Sequence, residues 1–382
     1  MPRSARSTRP RVGVDLRALV HRPTGIGVYT LALLRELAAL DRFELVGLVH
    51  REPEARAALE ALGVAIEIEP APLGVIWQQL KLPRRLAAGD LDLFWSPLLT
   101  LPRRTPIPAV VTVHDLAILH VPDTLSFKVR WSLLPFLGHT VERAEAVIAV
   151  SDATARELAH AWPVAAGRIV TIHNGVDPEF RPAAAEAIAA TRERLGAPGG
   201  YVLYAGTLEP RKNLDLLLEA WASLHAERAG ALPPLLLAGP YGWKSRGLER
   251  QIAALEPLGV RRLGRLERPD LVAAVQAARL FVYPSFYEGF GLPAAEAMAC
   301  GVPVIVADRS SLPEVVGDAG LLIDPEDPHD LAAALGRLLS EPALAAELGR
   351  RGVERAALYS WPRGAARLAD LFDRVLAEAA AK

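Results

Sequence analysis

Two carboxylates with seven residues between them, Glu288 and Glu296, stand in the stretch YPSFYEGFGLPAAEAMACGVPV, Tyr283 to Val304. The apolar run Leu280 to Tyr283 that leads into it reads as a buried strand. The chain then breaks at Pro284 and Ser285 and turns through Gly289-Phe290-Gly291. After Leu292 a helix is expected, with Pro293 at its first position and Gly301 before Pro303 as its stop. Strand, glycine loop and helix leave unpaired N–H groups at a helix N-terminus, an anion site suited to phosphate. Carboxylates placed directly against phosphate would repel it, so Glu288 and Glu296 suit sugar or ribose hydroxyls. An anion cradle with hydroxyl acceptors beside it fits a nucleotide sugar. The same residues fit equally well a plain βα turn with solvated acids, Glu296 complementing the helix dipole.

Further candidates lie at the ends of other apolar runs. Arg211 and Lys212 sit in the loop Gly206 to Asn213, after Tyr201 to Ala205, where two cations could neutralise a diphosphate or simply be solvated. His114-Asp115 closes the short run Ala109 to Val113, at the carboxyl end of a strand where open α/β sheets bind ligands. Gly25 and Gly27, before a helix expected from about Val28 to Leu40, are a second close-approach point for phosphate or sugar. A dinucleotide fingerprint would need Gly or Ala at position 30, where Thr30 stands, so a nicotinamide site is rejected. Cys300, the single cysteine, excludes internal disulfides and Cys-based zinc, and its place in the Ala294 to Cys300 helix reads as inert core.

The elements that must hold these residues are legible from apolar runs and their punctuation. The 382 residues suit two domains, and 51% hydrophobic content with net charge −1 excludes a disordered or strongly nucleic-acid-seeking chain. Strands are expected at Val12 to Leu16, Phe43 to Val49, Val64 to Ile68, Leu91 to Trp95, Ala109 to Val113, Val147 to Val150 and Ile169 to Ile172. Ser151-Asp152 reads as the N-cap of a helix Ala153 to Ala161. Pro178 to Pro182 opens a polar, Ala-rich connection. Strands then recur at Tyr201 to Ala205, Leu235 to Ala238, Val260 to Leu263, Leu280 to Tyr283, Val302 to Val306 and Gly320 to Asp324. This is an α/β pattern of two doubly wound domains. The expected division is a disordered basic tail 1–11, a first domain 12–180, a second 181–360 and a terminal helix 361–382. The basic N-terminus lacks the apolar core of a signal peptide, and no apolar run approaches the roughly 20 residues of a membrane span, so a cytoplasmic protein is expected.

Taken together, these motifs resemble glycosyltransferase family 4, enzymes of the GT-B fold. The resemblance runs from about Val12 to the final helix. Its most specific parts are Glu288-Gly-Phe-Gly-Leu-Pro…Glu296, matching the family's two-glutamate motif, and Gly206 to Asn213, matching its donor phosphate loop. His114-Asp115, Val150-Ser151-Asp152 and Asn174-Gly175-Val176-Asp177 match further landmarks. The resemblance implies two Rossmann-like domains facing across a cleft, with a final helix crossing back to the first. It implies that Lys212 and Arg211 hold the donor diphosphate with N–H groups around Phe290, Gly291 and Leu292. Glu296 would take the ribose hydroxyls, Glu288 those of the transferred sugar, and His114 would contact that sugar near the reaction centre. Gly25 and Gly27 would let the first domain close near the phosphates. Thr207 stands where many members carry Arg, leaving more of the leaving-group charge to Lys212 and Arg211. The chain is read as having no Asp-x-Asp metal motif. The cation pair with the helix dipole can replace a divalent ion, so transfer without a metal or other cofactor is expected, and retention is carried over from the family.

Trp77-Gln-Gln-Leu-x-Leu-Pro and the Gly-Ile-Gly loop look similar to bacterial members that transfer mannose from GDP-mannose in polysaccharide or O-antigen assembly. A UDP-sugar donor is the alternative. The expected acceptor is a glycan or lipid-linked glycan. Arg84, Arg85, Arg103, Arg104, Lys128 and Arg130, near Trp131 and Phe136, could dock the first domain on the inner face of an anionic membrane, or form ordinary solvated surface. Two rival readings remain open at this point: a nucleotide-sugar epimerase on the same fold, and a nucleotide-sugar binding protein without turnover.

Overall fold

The computed structural model describes residues 9–21, 25–124, 136–227 and 232–381. They form two compact units. The first comprises Met1–Leu116, Phe127–Gly175 and Ser360–Lys382, the second Ala117–Ser126 and Val176–Tyr359. The division thus falls after Gly175 instead of at 180, and the final helix, Trp361–Ala380, is counted with the first unit. Strand one includes Arg11, whose guanidinium pairs with Glu44 and Asp90, so the ordered chain reaches further into the expected basic tail.

In the first unit the strands are β1 (Arg11–Asp15), β2 (Glu44–Val49), β3 (Ala65–Ile68), β4 (Leu93–Ser96), β5 (Ala109–Val113), β6 (Ala146–Ala149) and β7 (Ile169–Thr171). They lie in the order β3-β2-β1-β4-β5-β6-β7, every described pair parallel. β4, β5 and β6 are buried along their whole length, as strands covered by helices on both faces must be. The helix Gly25–Leu40 begins three residues before the expected Val28, so Gly25 and Gly27 lie in its first turn and not in a preceding loop. Ser151 caps the helix Asp152–Ala161, its hydroxyl accepting from Thr154 N–H at 3.0 Å. Of the aromatic stretch expected as a helix at 126–140, residues 126–135 lie outside the described residues.

In the second unit β8 (Val202–Ala205), β9 (Leu235–Ala238), β10 (Val260–Gly264), β11 (Leu280–Tyr283), β12 (Val304–Ala307) and β13 (Gly320–Ile323) form a parallel sheet ordered β10-β9-β8-β11-β12-β13. The passage read as a connection contains a helix, Ala185–Arg194. Its Ala, Glu and Arg favour helix, but only Ile188 and Thr191 turn inward, too few to show a periodic apolar face. The strand order reverses direction between β8 and β11. The crevice beyond the carboxyl ends of those two strands is the place where sheets of this kind take ligands.

Candidate active site

In the second unit the loops leaving β8 and β11 are stitched together over that crevice. Pro210, Arg211 and Lys212 form a single 3-10 turn, closed by Asn213 in the left-handed region at φ 56°. The Arg211 carbonyl accepts from Phe286 N–H at 3.0 Å, and Ser285 Oγ lies 3.0 Å from the same oxygen. The turn therefore aims Lys212 inward, beneath the second loop. Its ammonium donates to Glu288 Oε1 at 2.5 Å and to the Tyr283 hydroxyl at 2.7 Å. Arg211 approaches the other oxygen of the same carboxylate at 3.1 Å and donates to the Tyr287 carbonyl at 2.7 Å. Ser285 donates to Glu288 at 2.6 Å.

Glu288 is itself fixed at both main-chain ends. Its N–H donates to the Ser310 hydroxyl at 2.9 Å, and its carbonyl accepts from the Ser311 hydroxyl at 2.9 Å. Burial works against its negative charge, but Arg211, Lys212 and the Ser285 hydrogen bond outweigh it, and the carboxyl is held at about 2. Burial also draws the Lys212 ammonium down from its ordinary value, opposed by the same carboxylate. With Glu288 ionised 2.5 Å away, Lys212 keeps its proton. The cation expected to meet a diphosphate and the acid expected to meet a sugar are thus one buried pair.

Gly291 follows at φ +93°, and a Cβ there would meet Leu312 Cδ2 at 2.5 Å, so only glycine makes this turn. It caps the helix Leu292–Ala299, with Pro293 one position later than expected. Pro293 has no N–H, and Ala294 and Ala295 N–H bond back to the Gly291 carbonyl. Among the described residues no acceptor takes the Gly291 and Leu292 N–H groups, which leaves two donors at the positive end of the helix. The Phe290 ring packs edge-on against Tyr359, 5.2 Å between centroids, so only its backbone can serve a ligand.

Glu296 sits in the opposite electrostatic state. Burial dominates and lifts its carboxyl to about 8, with Asp177 and Glu179 adding to the rise. Arg268, 3.5 Å away, lowers it only in part, because the same guanidinium also binds Asp177 and Glu179 and lies 4.7 Å over the Phe180 ring. Cys300 is buried with its thiol pushed up to about 12, an unreactive state, as its position implied.

In the first unit His114 follows β5 and bonds through Nε2 to the Pro97 carbonyl at 2.8 Å, which makes that nitrogen the donor and leaves the lone pair on Nδ1. Burial lowers its pKa, so the ring is neutral near pH 7. Tyr29, two residues beyond Gly27, stands edge-on to it at 4.7 Å. Tyr29 thus links the helix that opens with Gly25 and Gly27 to His114 in the first unit, while Arg211, Lys212, Glu288, Phe290–Leu292 and Glu296 lie in the second. An Asp-x-Asp spacing does occur, at Asp90-Leu91-Asp92, and corrects the expectation that none is present. It precedes β4 at the amino end of the strands, where Asp90 binds Arg11 and Arg85 and Asp92 accepts from Arg11 N–H.

Sequence reasoning missed Tyr283, Ser285, Ser310 and Ser311, which position Glu288, and Arg268, which faces Glu296. Ser285 could have been found from its spacing of three before Glu288 in a tight loop. Arg268 carries no such signal, since its partners come from two segments distant in sequence, Asp177–Phe180 and Glu296.

The sequence model for glycosyl transferases group 1 matches residues 190–355, and that for glycosyltransferase family 4 matches residues 23–180. The chain is 35% identical over 357 residues to O-antigen chain mannosyltransferase B of Escherichia coli, a match covering 88% of this chain and 93% of that protein. It is 33% identical over 242 residues to the serotype-specific mannosyltransferase WbdA of Escherichia coli, covering 62% of this chain and 29% of that one. Its fold superposes on Anabaena HepE, solved with UDP and glucose, at TM-score 0.78 with 21% identity, over 96% of this chain and 99% of that one. Parallel sheets in two Rossmann-like units, matching the solved GT-B enzymes, and these matches along both halves mean that the chain belongs to the family 4 glycosyltransferases.

Proposed function

We propose that the protein transfers a mannosyl group from GDP-mannose to a hydroxyl of a glycan or lipid-linked glycan, with retention of anomeric configuration and without a metal ion. The observation that carries the donor side is the arrangement of cations and N–H groups in the second unit. Lys212, Arg211 and the open Gly291 and Leu292 N–H groups surround the switch point between β8 and β11. A departing nucleoside diphosphate gains negative charge as the anomeric carbon becomes oxocarbenium-like, and preorganised cations and helix N–H groups lower that barrier. A diphosphate drawn onto Lys212 and Arg211 would compete with Glu288 for them. The carboxylate, still held by Ser285, is then free to accept from sugar hydroxyls. Glu296 in its protonated form can donate to ribose as well as accept from it. Neutral His114 offers a hydrogen bond to the transferred sugar without adding positive charge beside the forming cation. Under retention, the leaving diphosphate itself acts as the base toward the acceptor hydroxyl.

Mannose is favoured by the relatives in Escherichia coli, both named mannosyltransferases. A UDP-sugar is the second reading, favoured by the UDP in HepE. No described helix is long and apolar enough to cross a membrane. The test is a thermal-shift panel of GDP, UDP, ADP and their sugar conjugates in the presence of a chelator. A ligand at 100 times its Kd should stabilise the protein by about 2.7 kcal/mol. A shift with GDP and GDP-mannose alone supports the proposal, a shift with UDP species replaces the donor, and no shift with any nucleotide refutes the site.

A further inference from the structure

Arg268 opens the helix Arg268–Gln276 in the second unit, and side chains from two distant segments converge on it. Its guanidinium pairs with Asp177 and Glu179, lies 4.7 Å over the Phe180 ring, and stops 3.5 Å from Glu296 Oε1. The segment that supplies Asp177, Glu179 and Phe180 is fastened to the far end of the same helix. There the Gln276 amide donates to the Arg181 carbonyl at 2.9 Å and to the Glu179 carbonyl at 3.3 Å. Phe180 N–H bonds back to the Asp177 carbonyl at 3.0 Å, and its side chain is buried. Two carboxylates and a ring therefore hold the guanidinium, and its distance from Glu296 is imposed by those surroundings.

Among the described residues Arg268 is the one cation within ion-pair distance of the Glu296 carboxyl. Their separation exceeds the roughly 2.7–2.9 Å of a charge-assisted hydrogen bond. Glu296 is thus steered by charge while its oxygens stay open to the hydroxyls of a ligand. Asp177 and Glu179 act on the same carboxyl with the opposite sign. The other elements packed on the helix Leu292–Ala299 add little. β11 and β12 carry one titratable side chain, Tyr283, which is bonded to Lys212, and the helix Leu312–Val316 carries Glu314. The helix Pro342–Ala356 approaches through Gly352 at Met298, with Arg350 and Arg351 paired to Glu347 and Arg355 donating to the Glu314 carbonyl. Charge at Glu296 therefore turns on Arg268 against Asp177 and Glu179.

We propose that Arg268 is a positioning residue for the donor: shared with Asp177 and Glu179 and held just short of Glu296, it steers that carboxyl onto the ribose hydroxyls and so separates ribonucleotide from deoxyribonucleotide donors. The inference rests on the donor reading above and names the side chain through which Glu296 plays its part. The two hydroxyls of a ribose have a fixed spacing, so one carboxyl meets both in a narrow range of orientations. Without a neighbouring charge the long Glu296 side chain would spread over several rotamers. A bidentate pair with Arg268 would instead occupy both of its oxygens. Asp177 and Glu179 prevent that closure by engaging the guanidinium themselves.

The test is isothermal titration calorimetry of the full chain with GDP-mannose, UDP-glucose and their 2′-deoxyribose counterparts from pH 6 to pH 9, where the diphosphate diester keeps a constant charge. Wild type should prefer the ribonucleotide sugar it binds over the deoxy form by about tenfold or more, the worth of one hydrogen bond to a charged group. Arg268→Gln should weaken the ribonucleotide sugar by about tenfold and the deoxy form much less, with part of the loss recovered in Arg268→Lys. The midpoint of the pH dependence of Kd, near 8 where Glu296 titrates, should move up in Arg268→Gln and down in Glu179→Gln. A merely structural role would not produce shifts of opposite sign. Glu179 is 45% exposed, so its variant carries the test should Arg268→Gln fold poorly. Equal loss of both sugar nucleotides in Arg268→Gln, or a midpoint unmoved in both variants, would overturn the inference and leave the donor site standing. Failure of wild type to bind any nucleotide sugar would sink the donor reading and this inference with it.

Discussion

Replacing Glu288 by Gln keeps the volume of the side chain and removes the charge that Lys212 and Arg211 share. The carboxyl is held at about 2 against an ordinary 4.5. At ~1.4 kcal/mol per pH unit, that difference is about 3 kcal/mol of stability at neutral pH. The folded value is depressed, so this stability is complete above pH 4.5 and is lost as pH falls through 2. An independent figure agrees: removing one partner of a buried ion pair costs about 3–5 kcal/mol. Because the loss is the stranding of a buried ammonium, Lys212→Met should restore part of it. We expect the double variant to be less destabilised than the sum of the single ones by about 2–3 kcal/mol. Urea-dependent hydrogen exchange of the β8 and β11 peptides at pH 7 isolates the second unit from the first. A loss under about 1 kcal/mol for Glu288→Gln, or strict additivity in the double variant, would refute the coupled pair and with it the account of how Lys212 is held.

Glu296→Gln should act in the opposite direction. Its folded value, about 8, lies above the unfolded 4.5, so the wild-type carboxyl burdens the fold increasingly as pH rises between those values. Melting curves of Glu296→Gln should show a gain over wild type that grows from pH 5 to pH 8, and a loss at pH 7.5 would contradict the buried, protonated state. His114→Gln should lower kcat for transfer by about 10²–10³-fold while leaving nucleotide-induced stabilisation unchanged. Equal loss of nucleotide binding would move His114 out of the transfer step and into the donor's framework.

Much of the fold is legible before any coordinates. Ala109 to Val113, Leu235 to Ala238 and Leu280 to Tyr283 are strands with the very bounds their apolar runs mark, because burial on both faces leaves a continuous signature. The start of the helix Gly25–Leu40 was misplaced, since glycines argue for a loop by propensity and only packing holds them in a first turn. The helix Ala185–Arg194 was missed for want of an apolar stripe.

The two glutamates show where local information ends. Sequence by itself determined that Glu288 and Glu296 flank a glycine turn and a helix start, and that this order of motifs belongs to the family 4 glycosyltransferases. It could not determine that Glu288 meets a lysine 76 positions earlier in the chain. Only the pairing of β8 with β11 brings that contact about. Nor could it determine that two like residues eight apart carry opposite perturbations, one held at about 2 and the other lifted to about 8. Charge state in a protein interior depends on which groups burial forces together, and the helix Leu292–Ala299 separates a site rich in cations from one crowded with carboxylates. That partition is a property of tertiary packing alone.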